Sequence, residues 1–159
     1  MSGVKFARVR LLALGMLASL AIAGCSGGAD DGLTKYPVHG TVYVNGKAAD
    51  GMVVTFNHQD KVPGNAMCPV ARTDQAGHYT LSTNADKDGA VEGEYTVTFV
   101  WPTDNGPMPL DRLKGRLANA ERSSFKAHVK AGDNEIEPFK LEIEPRNLLP
   151  PPTKAGARQ

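Results

Sequence analysis

The chain has 159 residues, 41% of them hydrophobic and only 6% aromatic, with 17 glycines and 11 prolines. This length and composition suit one modest domain with many turns and argue against a large multidomain enzyme. The 18 basic residues nearly balance the 17 acidic ones without a long run of either sign, so the chain lacks the basic footprint of a nucleic-acid-binding protein.

The first 24 residues are typical of an export signal. Lys5, Arg8 and Arg10 form a basic region, and a twelve-residue apolar stretch, 11–22, follows it. That stretch is shorter than the ~20 residues that a membrane-spanning helix requires. We therefore predict that residues 1–24 form a signal helix that is cleaved from the mature protein.

The tetrapeptide Ile22-Ala23-Gly24-Cys25 closes this segment. It resembles a bacterial lipobox, in which small residues fit the signal peptidase and the cysteine sulfur accepts a diacylglyceryl group. The resemblance implies cleavage after Gly24 and a mature N-terminus at Cys25 that carries fatty chains such as palmitate. Because two or more acyl chains anchor a protein stably, we expect a membrane-tethered protein of the cell envelope, on the periplasmic or outer-membrane face. The alternative is an ordinary secretory signal with an incidental cysteine.

The second cysteine, Cys68, lacks an intramolecular partner once Cys25 is lipidated. One interpretation is a reactive thiol or an intermolecular bridge. The other is a small apolar residue near a turn, which the sequence favours because no basic or histidine residue stands close by to stabilise a thiolate. Stability must then come from a packed core rather than from a disulfide.

Composition divides the rest of the chain into three parts. Residues 25–35 are rich in glycine and aspartate without periodicity, which predicts a flexible tether with an r.m.s. span of roughly 18 Å. Residues 36–144 form a segment of 109 residues, close to the ~100 of a small β-sandwich, with an insertion at 103–124. Residues 145–159 contain the consecutive prolines 150–152 and a polar end, which predict a disordered tail.

Alternation of apolar and polar residues with a period of two predicts seven strands within the central segment. The first covers residues 38–44, and Asn45-Gly46 follows it as the signal for a two-residue hairpin turn. A tight turn is predicted over residues 73–77, with the Asp74 carboxylate accepting backbone N–H bonds. Seven short strands separated by turns predict an all-β chain folded as a single Greek-key β-sandwich. The third predicted strand lies just before Arg72. The inward faces of the other later strands hold, strand by strand, Met52, Val54 and Phe56; Tyr79 and Leu81; Tyr95, Val97, Phe99 and Trp101; Phe125, Ala127 and Val129; and Phe139, Leu141 and Ile143.

Three segments carry a family resemblance: YPVHGTVYVNGKAADGMVVTF, RTDQAGHYTLST and GAVEGEYTVTFVWP. Over residues 36–143 the chain resembles the carboxypeptidase regulatory-like domain, a transthyretin-like (prealbumin-like) β-sandwich. With DRLKGR and GDNEIEPFKLEI added, it is similar to small bacterial envelope lipoproteins that carry this one domain and have no assigned activity. The resemblance implies a non-catalytic, lipid-anchored protein with an interaction or structural role, whose partners are an envelope protein or a glycan.

Known enzymes on related sandwiches need residues that this chain does not provide. Transthyretin-like hydroxyisourate hydrolases end in Tyr-Arg-Gly-Ser, whereas this chain ends in AGARQ. Intradiol dioxygenases hold iron with two tyrosines and two histidines, but the histidines here lack the spacing of a metal pair, and strand alternation places His39, His78 and His128 on the solvent face. We therefore predict neither an enzyme nor a resident metal or cofactor.

One loop has part of a calcium-binding pattern. Residues 84–89 place oxygen-bearing side chains at alternate positions before a glycine, and Glu92 falls at the ninth position. The twelfth position is Tyr95 rather than the bidentate glutamate that such loops use, and Lys87 adds positive charge. These departures favour a solvated loop between strands, with calcium binding over residues 84–92 as the alternative.

The insertion at residues 103–124 holds Leu110, Leu113 and Leu117 at helical spacing, which predicts a short helix packed on the edge of the sandwich. On that helix three basic side chains would point outward as a site for an anionic ligand, whether phosphate, an acidic glycan or a partner protein. The alternative is a charged, solvated face balanced by neighbouring acidic residues. The three basic residues are Arg112, Lys114 and Arg116.

An internal covalent bond is a further hypothesis. The segment GAVEGEYTV is similar to the strand entry of collagen-adhesin B-type domains, which contain a spontaneous isopeptide bond. Lys47 would supply the amine, and Glu92 or Glu94 would be the catalytic acid. Such a bond requires that all the reacting groups be buried together.

The alternative function is a periplasmic or surface module that binds a carbohydrate or an anionic ligand. Carbohydrate sites commonly present exposed aromatic side chains. Strand alternation places only Tyr43 outward on a well-defined strand. The sequence therefore favours the interaction or structural role and leaves ligand binding as the second reading.

Overall fold

The described part of the chain, residues 32–150 of a computed structural model, is all-β. It contains eleven strands and three short 3₁₀ turns, without an α-helix among residues 32–150. No helical segment in this range is long and apolar enough to cross a membrane. The predicted signal segment, with Gly24, then Cys25 and the residues from 151 onward lie outside the described residues.

The strands follow one another closely along the chain. They are β1 (Lys35–Tyr36), β2 (Val38–Val44), β3 (Lys47–Ala48), β4 (Val53–His58), β5 (Val70–Arg72), β6 (His78–Thr80), β7 (Ala90–Val91), β8 (Gly93–Val100), β9 (Lys126–Val129), β10 (Asn134–Glu135) and β11 (Phe139–Leu141). The 3₁₀ turns cover Gly64–Met67, Ala120–Arg122 and Pro145–Asn147.

Strand β2 is the centre of the first main sheet. Strands β10 and β11 pair with it in parallel, one after the other along its length, while β3 and β6 pair with it antiparallel. The carbonyl of His39 accepts from the N–H of Ile136 at 2.8 Å, whereas the N–H of Val42 donates to the carbonyl of Gly77 at 2.9 Å. Since successive residues of a strand bond to opposite sides, the parallel and antiparallel partners occupy the two edges of β2.

The second main sheet is antiparallel throughout, in the order β5, β4, β8 and β9. Its longest pairing joins β4 to β8, from Val53 opposite Val100 to His58 opposite Tyr95. A separate ladder of β1 and β7 lies beside the start of β8. The two main sheets together contain every strand except this small pair.

An aromatic cluster fills the space between the two main sheets. Phe56 and Phe99 come from the second sheet, and Phe139 and Tyr79 come from the first. The ring centroids of Phe99 and Phe139 are 5.3 Å apart, and those of Phe56 and Phe139 are 6.4 Å apart, both in edge-on geometry. Such pairs contribute about 0.5–1.5 kcal/mol each beyond the area that they bury. The packing of the two sheets is that of a β-sandwich.

The seven predicted strands correspond to β2, β4, β5, β6, β8, β9 and β11, and the residues predicted to face inward on β2 and β4 are buried. Four strands were missed, namely β1, β3, β7 and β10, each of two residues. A two-residue ladder is too short to show an alternating pattern. The observed arrangement of eleven strands in three sheets is therefore more divided than the predicted seven-stranded Greek key.

Both tight turns predicted from the sequence are confirmed. Asn45 and Gly46 have φ values of 51° and 74°, the positive values that a type I′ hairpin turn requires. In the other turn, Oδ1 of Asp74 accepts the backbone N–H of Ala76 at 2.8 Å and that of His78 at 2.9 Å. Side-chain acceptors of this kind satisfy backbone donors that a strand would otherwise pair.

The two ends of the sandwich carry different parts of the chain. We call the end beside Gly93, where β1 and β7 pair, the entry end, because the described chain begins there. The end beyond Val100 is the distal end. Strand β8 joins them with eight residues, or about 26 Å of extended chain.

The start of the predicted disordered tail differs from the prediction. Residues 145–150 are ordered: a 3₁₀ turn covers Pro145–Asn147, and the N–H of Leu149 donates to the carbonyl of Arg112 at 2.8 Å. This contact with the insertion supplies a hydrogen-bond partner that the proline-rich sequence by itself does not reveal. The remainder, 151–159, lies outside the described residues.

Gly40 of β2 provides a test of the core. A Cβ at this position would lie 2.6 Å from Oη and 2.8 Å from Cζ of the buried Tyr79, which packs over it from β6. We expect Gly40→Ala to lower the free energy of unfolding by about 1–3 kcal/mol, because the ring must move off its site. Chemical denaturation measures this, and Thr41→Ala, on the outer face of the same strand, should change stability by less than about 0.5 kcal/mol. Equal effects of the two substitutions would contradict the close packing.

Candidate functional site

A cleft of about 550 Å³ opens at the distal end, and we call it the distal cleft. Its volume lies within the ~300–1,000 Å³ of typical ligand sites. It lies between the segment after β8, the turn that precedes β4 and the end of β5. Its lining includes four charged side chains, one amide and one indole, namely Asp50, Arg72, Asp104, Arg112, Asn105 and Trp101.

Asp111 holds the insertion against the end of β8. Its Oδ1 accepts the backbone N–H of Trp101 at 2.9 Å and that of Leu113 at 2.9 Å, and its Oδ2 accepts the N–H of Gly115 at 2.8 Å. All these donors are backbone groups, so the carboxylate works as the centre of a turn. The same turn directs the next side chain, Arg112, back toward the sandwich.

The short helix predicted for the insertion is wrong. Residues 112–117 form turns, because Lys114 and Gly115 take positive φ values of 54° and 72°, which an α-helix does not allow. Leu113 is buried as predicted, but Leu110 is 66% exposed. The leucine spacing therefore reflects one buried residue rather than a continuous apolar stripe.

Arg112 was predicted to point outward and instead lies inside. Its side chain is only 7% exposed, and its guanidinium carbon lies 3.6 Å from the centroid of the Trp101 ring. Nε–H donates to the carbonyl of Leu149 at 3.2 Å. Desolvation by this burial lowers the pKa of Arg112 from its usual value. Within residues 32–150 no carboxylate lies within 4.0 Å of the guanidinium.

Trp101 forms the wall behind this guanidinium. Its indole Nε1–H donates to the carbonyl of Asp50 at 2.8 Å, and the residue is 9% exposed. The hydrogen bond and the packing fix the plane of the ring, and one face of the ring carries Arg112 as a cation–π partner. The orientation of the guanidinium is therefore set by the protein before any ligand arrives.

A second guanidinium lines the same cleft from strand β5. Arg72, at the end of β5, is exposed, and its Nη1 donates to Oδ1 of Asn105 at 2.7 Å. Asp104 accepts the N–H of Gly106 at 2.7 Å with Oδ1 and the hydroxyl of Thr103 at 3.1 Å with Oδ2. With two arginines and two aspartates, Asp50 and Asp104, the lining carries a formal charge of zero.

The other two residues of the predicted anion patch do not line the cleft. Lys114 and Arg116 are exposed, and Nζ of Lys114 donates to the carbonyl of Arg146 at 2.7 Å. The structure therefore separates Arg112 from them and groups it with Arg72. Arg72 was missed because it lies on a strand far earlier in the chain, and no local motif connects the two.

In the loop of residues 84–92, the carboxylate of Asp88 accepts hydrogen bonds from neighbouring backbone N–H groups. Asp88 accepts the backbone N–H of Thr83 at 2.6 Å with Oδ1, and those of Asn84 and Ala85 at 3.0 and 3.1 Å with Oδ2. Both oxygens are thus directed at N–H donors, which favours the solvated-loop interpretation over calcium binding. Across residues 32–150, no three His, Cys, Asp or Glu side chains gather as a metal site.

The three histidines predicted on the solvent face each lie beside a carboxylate. Nδ1 of His128 is 2.7 Å from Oε1 of Glu94, and the imidazoles of His39 and His78 lie 3.5 and 3.7 Å from Asp133 and Asp74. All three side chains are 40–64% exposed, which confirms the predicted orientation. They are dispersed surface pairs, not a cluster.

Two further hypotheses concern exposed side chains. Cys68 is exposed rather than a buried apolar residue, and its thiol donates a long hydrogen bond of 3.8 Å to Oδ1 of Asn57.

Lys47, Glu92 and Glu94 are also exposed, so the shared burial that an isopeptide bond requires is missing.

A larger groove of about 610 Å³ runs along the seam between β5 and β6. Its charged side chains are exposed, and Asp74 within it already accepts the backbone N–H bonds of its own turn. The distal cleft differs because it contains a buried charge, Arg112. Buried, strongly oriented charges are the more specific sign of a binding site.

The Arg112 contact with Trp101 can be tested through stability. We expect Arg112→Ala to lower the free energy of unfolding by about 1–2 kcal/mol, because the indole loses its cation–π partner and the covering alkyl stem. Trp101 is the only tryptophan of the chain, so its emission should shift to longer wavelength as water reaches the ring. Arg116→Ala is the matched control. An unshifted emission in Arg112→Ala would show that the guanidinium does not cover the ring.

Neither a known protein family nor a curated protein matches the sequence. Among solved structures, the chain is similar to a 9R-lipoxygenase from Cyanothece PCC8801, with 10% identity and a TM-score of 0.37, covering 68% of this chain and 16% of that one. It is also similar to a DUF3823 family protein from Parabacteroides merdae ATCC 43184, with 19% identity and a TM-score of 0.36, covering 69% of this chain and 46% of that one. The chain thus spans less than half the length of either structure.

Proposed function

We propose that this protein is a non-catalytic, lipid-anchored β-sandwich of the cell envelope that serves an interaction role. The observation that carries the proposal is the separation of the two ends of the sandwich. The segment that leads back to Cys25 departs from the entry end, and the distal cleft lies at the other end of β8. A lipid anchor on this side favours display of the cleft away from the bilayer.

The anchor itself rests on the sequence. A basic region, a short apolar stretch and Ile22-Ala23-Gly24-Cys25 stand in the order of a lipoprotein signal. The predicted tether of residues 25–35 is shorter than expected, because Lys35 already pairs with Val91 in β1; as a flexible chain, residues 25–34 would span roughly 17 Å between the acyl chains and the sandwich. The address that follows is the periplasmic or outer-membrane face of the envelope.

The chemistry of the distal cleft supports binding rather than catalysis. The guanidinium groups of Arg72 and Arg112 present planar sets of N–H donors that can hold an anion. Of the two aspartates that line the cleft, Asp104 already accepts the N–H of Gly106 and the hydroxyl of Thr103. Guanidinium groups held in fixed positions are suited to recognition.

Two further inferences accompany this proposal. The sequence segments within residues 36–143 support a carboxypeptidase regulatory-like, transthyretin-like domain, and the all-β sandwich agrees with that assignment at the level of fold class. A module that binds a carbohydrate or an anionic ligand is the second candidate function. It is favoured by the burial of Arg112 in a cleft of ligand size without a carboxylate partner in residues 32–150.

The anchor is tested at Cys25. In a bacterium with intact lipoprotein export, we expect the wild-type protein to enter the detergent phase of a Triton X-114 separation, because its acyl chains insert into micelles. Cys25→Ala should move the protein to the aqueous phase or leave it unprocessed. Mass spectrometry of the N-terminal peptide should show a diacylglyceryl group on Cys25.

Cys68→Ala is the matched control, because Cys68 is the only other cysteine and is exposed. It should remain in the detergent phase. A wild-type protein in the aqueous phase with an unmodified Cys25 thiol would refute the anchor and the envelope address together.

A further inference from the structure

We propose that the distal cleft binds an acidic sugar, whose carboxylate is held by Arg112 and Arg72 and whose hydroxyls bond to Asp50, Asp104 and Asn105. This inference deepens the proposed interaction role by naming the ligand class of the same cleft. It rests on the charge, burial and position of these five side chains.

The guanidinium of Arg112 calls for an anion. It is held by the Trp101 ring and by one hydrogen bond from Nε, and its two Nη groups donate no hydrogen bond to any acceptor in residues 32–150. These Nη atoms are not among the fully buried polar atoms that lack a partner, and Arg112 lines the cleft, so they are open to an anion in it. Two Nη groups without an acceptor in the described part of the chain suit the bidentate fork by which a guanidinium binds the carboxylate of a ligand.

Arg72 adds a second donor to the same cleft. Its hydrogen bond to Oδ1 of Asn105 uses Nη1, which leaves its other N–H groups for a ligand. The same bond fixes Asn105 with its amide N–H₂ directed elsewhere, and this group can donate to a ligand oxygen. Two guanidinium groups, one from the end of β5 and one from the turn of the insertion, give an anionic group a defined position.

The two aspartates decide the kind of anion. Asp50 and Asp104 bring the formal charge of the cleft lining to zero, which disfavours a polyphosphate or another densely charged ligand. A carboxylate oxygen is instead a strong acceptor for sugar hydroxyls. The balance of two cations with two hydroxyl acceptors fits a ligand whose carboxylates are sparse among its hydroxyls, with one carboxylate to each sugar ring.

The position of Trp101 argues against a neutral sugar. Sugars often stack on an exposed aromatic face, but Trp101 is 9% exposed, and Arg112 covers one face of its ring. The ring therefore orients the guanidinium rather than serving as a platform. Recognition must depend on charge and hydrogen bonds, and a cleft of about 550 Å³ holds one or two sugar rings.

The test uses the full-length protein, purified in detergent, with the fluorescence of Trp101 as the reporter. Digalacturonate is the acidic probe, the neutral disaccharide galactobiose matches it in size, and tripolyphosphate represents dense charge. We expect saturable quenching or enhancement with digalacturonate, and at least tenfold weaker binding of the other two. Absence of digalacturonate binding, equal binding of galactobiose, or tighter binding of tripolyphosphate would each overturn the proposal.

Variants locate the site. Arg72→Ala removes an exposed side chain, and Arg112→Lys keeps the charge but loses the planar fork, so each should weaken digalacturonate binding about tenfold or more. Arg116→Ala, in the same insertion but outside the cleft, should bind as the wild type does. Because Arg72→Ala alters no packed residue, it tests the site even where Arg112→Lys unfolds. Undiminished binding by Arg72→Ala, or loss of binding in Arg116→Ala, would place the ligand elsewhere.

Failure of this inference and failure of the proposed anchor are distinguishable. Lipidation of Cys25 is read by detergent partition and mass, and neither measurement depends on the cleft. A protein that partitions into detergent but ignores digalacturonate keeps its envelope address and loses the acidic-sugar site.

Discussion

The carboxylate of Asp111 is the contact on which the architecture of the distal end depends. By accepting the N–H of Trp101 it attaches the insertion to the end of β8, and by accepting those of Leu113 and Gly115 it closes the turn. Together with the N–H of Arg112, which donates to the carbonyl of Trp101 at 2.7 Å, this turn places Arg112 on the indole. Leu149, near the end of the described residues, exchanges hydrogen bonds with the backbone and side chain of Arg112, so this segment packs against the same turn.

The energetics of Arg112 explain why this arrangement points to function. Removing a charged group from water costs several kcal/mol even after relaxation. The contact with Trp101 contributes about 0.5–2 kcal/mol, and a hydrogen bond from a charged donor contributes about 1.5–3 kcal/mol. These two contributions offset part of the desolvation cost. The Nη groups, which are not fully buried, also keep access to the cleft. A site that held the side chain for stability alone would more simply use an apolar residue against Trp101.

The sequence predicted those parts of the fold whose determinants are local. The hairpin at Asn45-Gly46 and the turn around Asp74 follow from two or three adjacent residues, and long strands reveal themselves by alternation. The direction of Arg112 was predicted wrongly because leucine spacing implied a helix, whereas Asp111 bonds to a residue ten positions away in the chain. Arg72 could not be assigned to the cleft, because only the pairing of β4 with β5 brings it there.

The cleft lies among end loops because, in a β-sandwich, the space between the sheets holds the packed core and the loops lie outside it. Between the sheets, Phe139 packs edge-to-face with Phe56 and with Phe99. A close-packed interior of this kind leaves little room for a binding group. Loops at the ends can change without disturbing that core, so binding groups accumulate there on a rigid support. The β1–β7 ladder occupies the entry end, where the described chain begins. The distal end, where an insertion and the C-terminal segment meet, is therefore the place where this scaffold can acquire a ligand without disturbing its core.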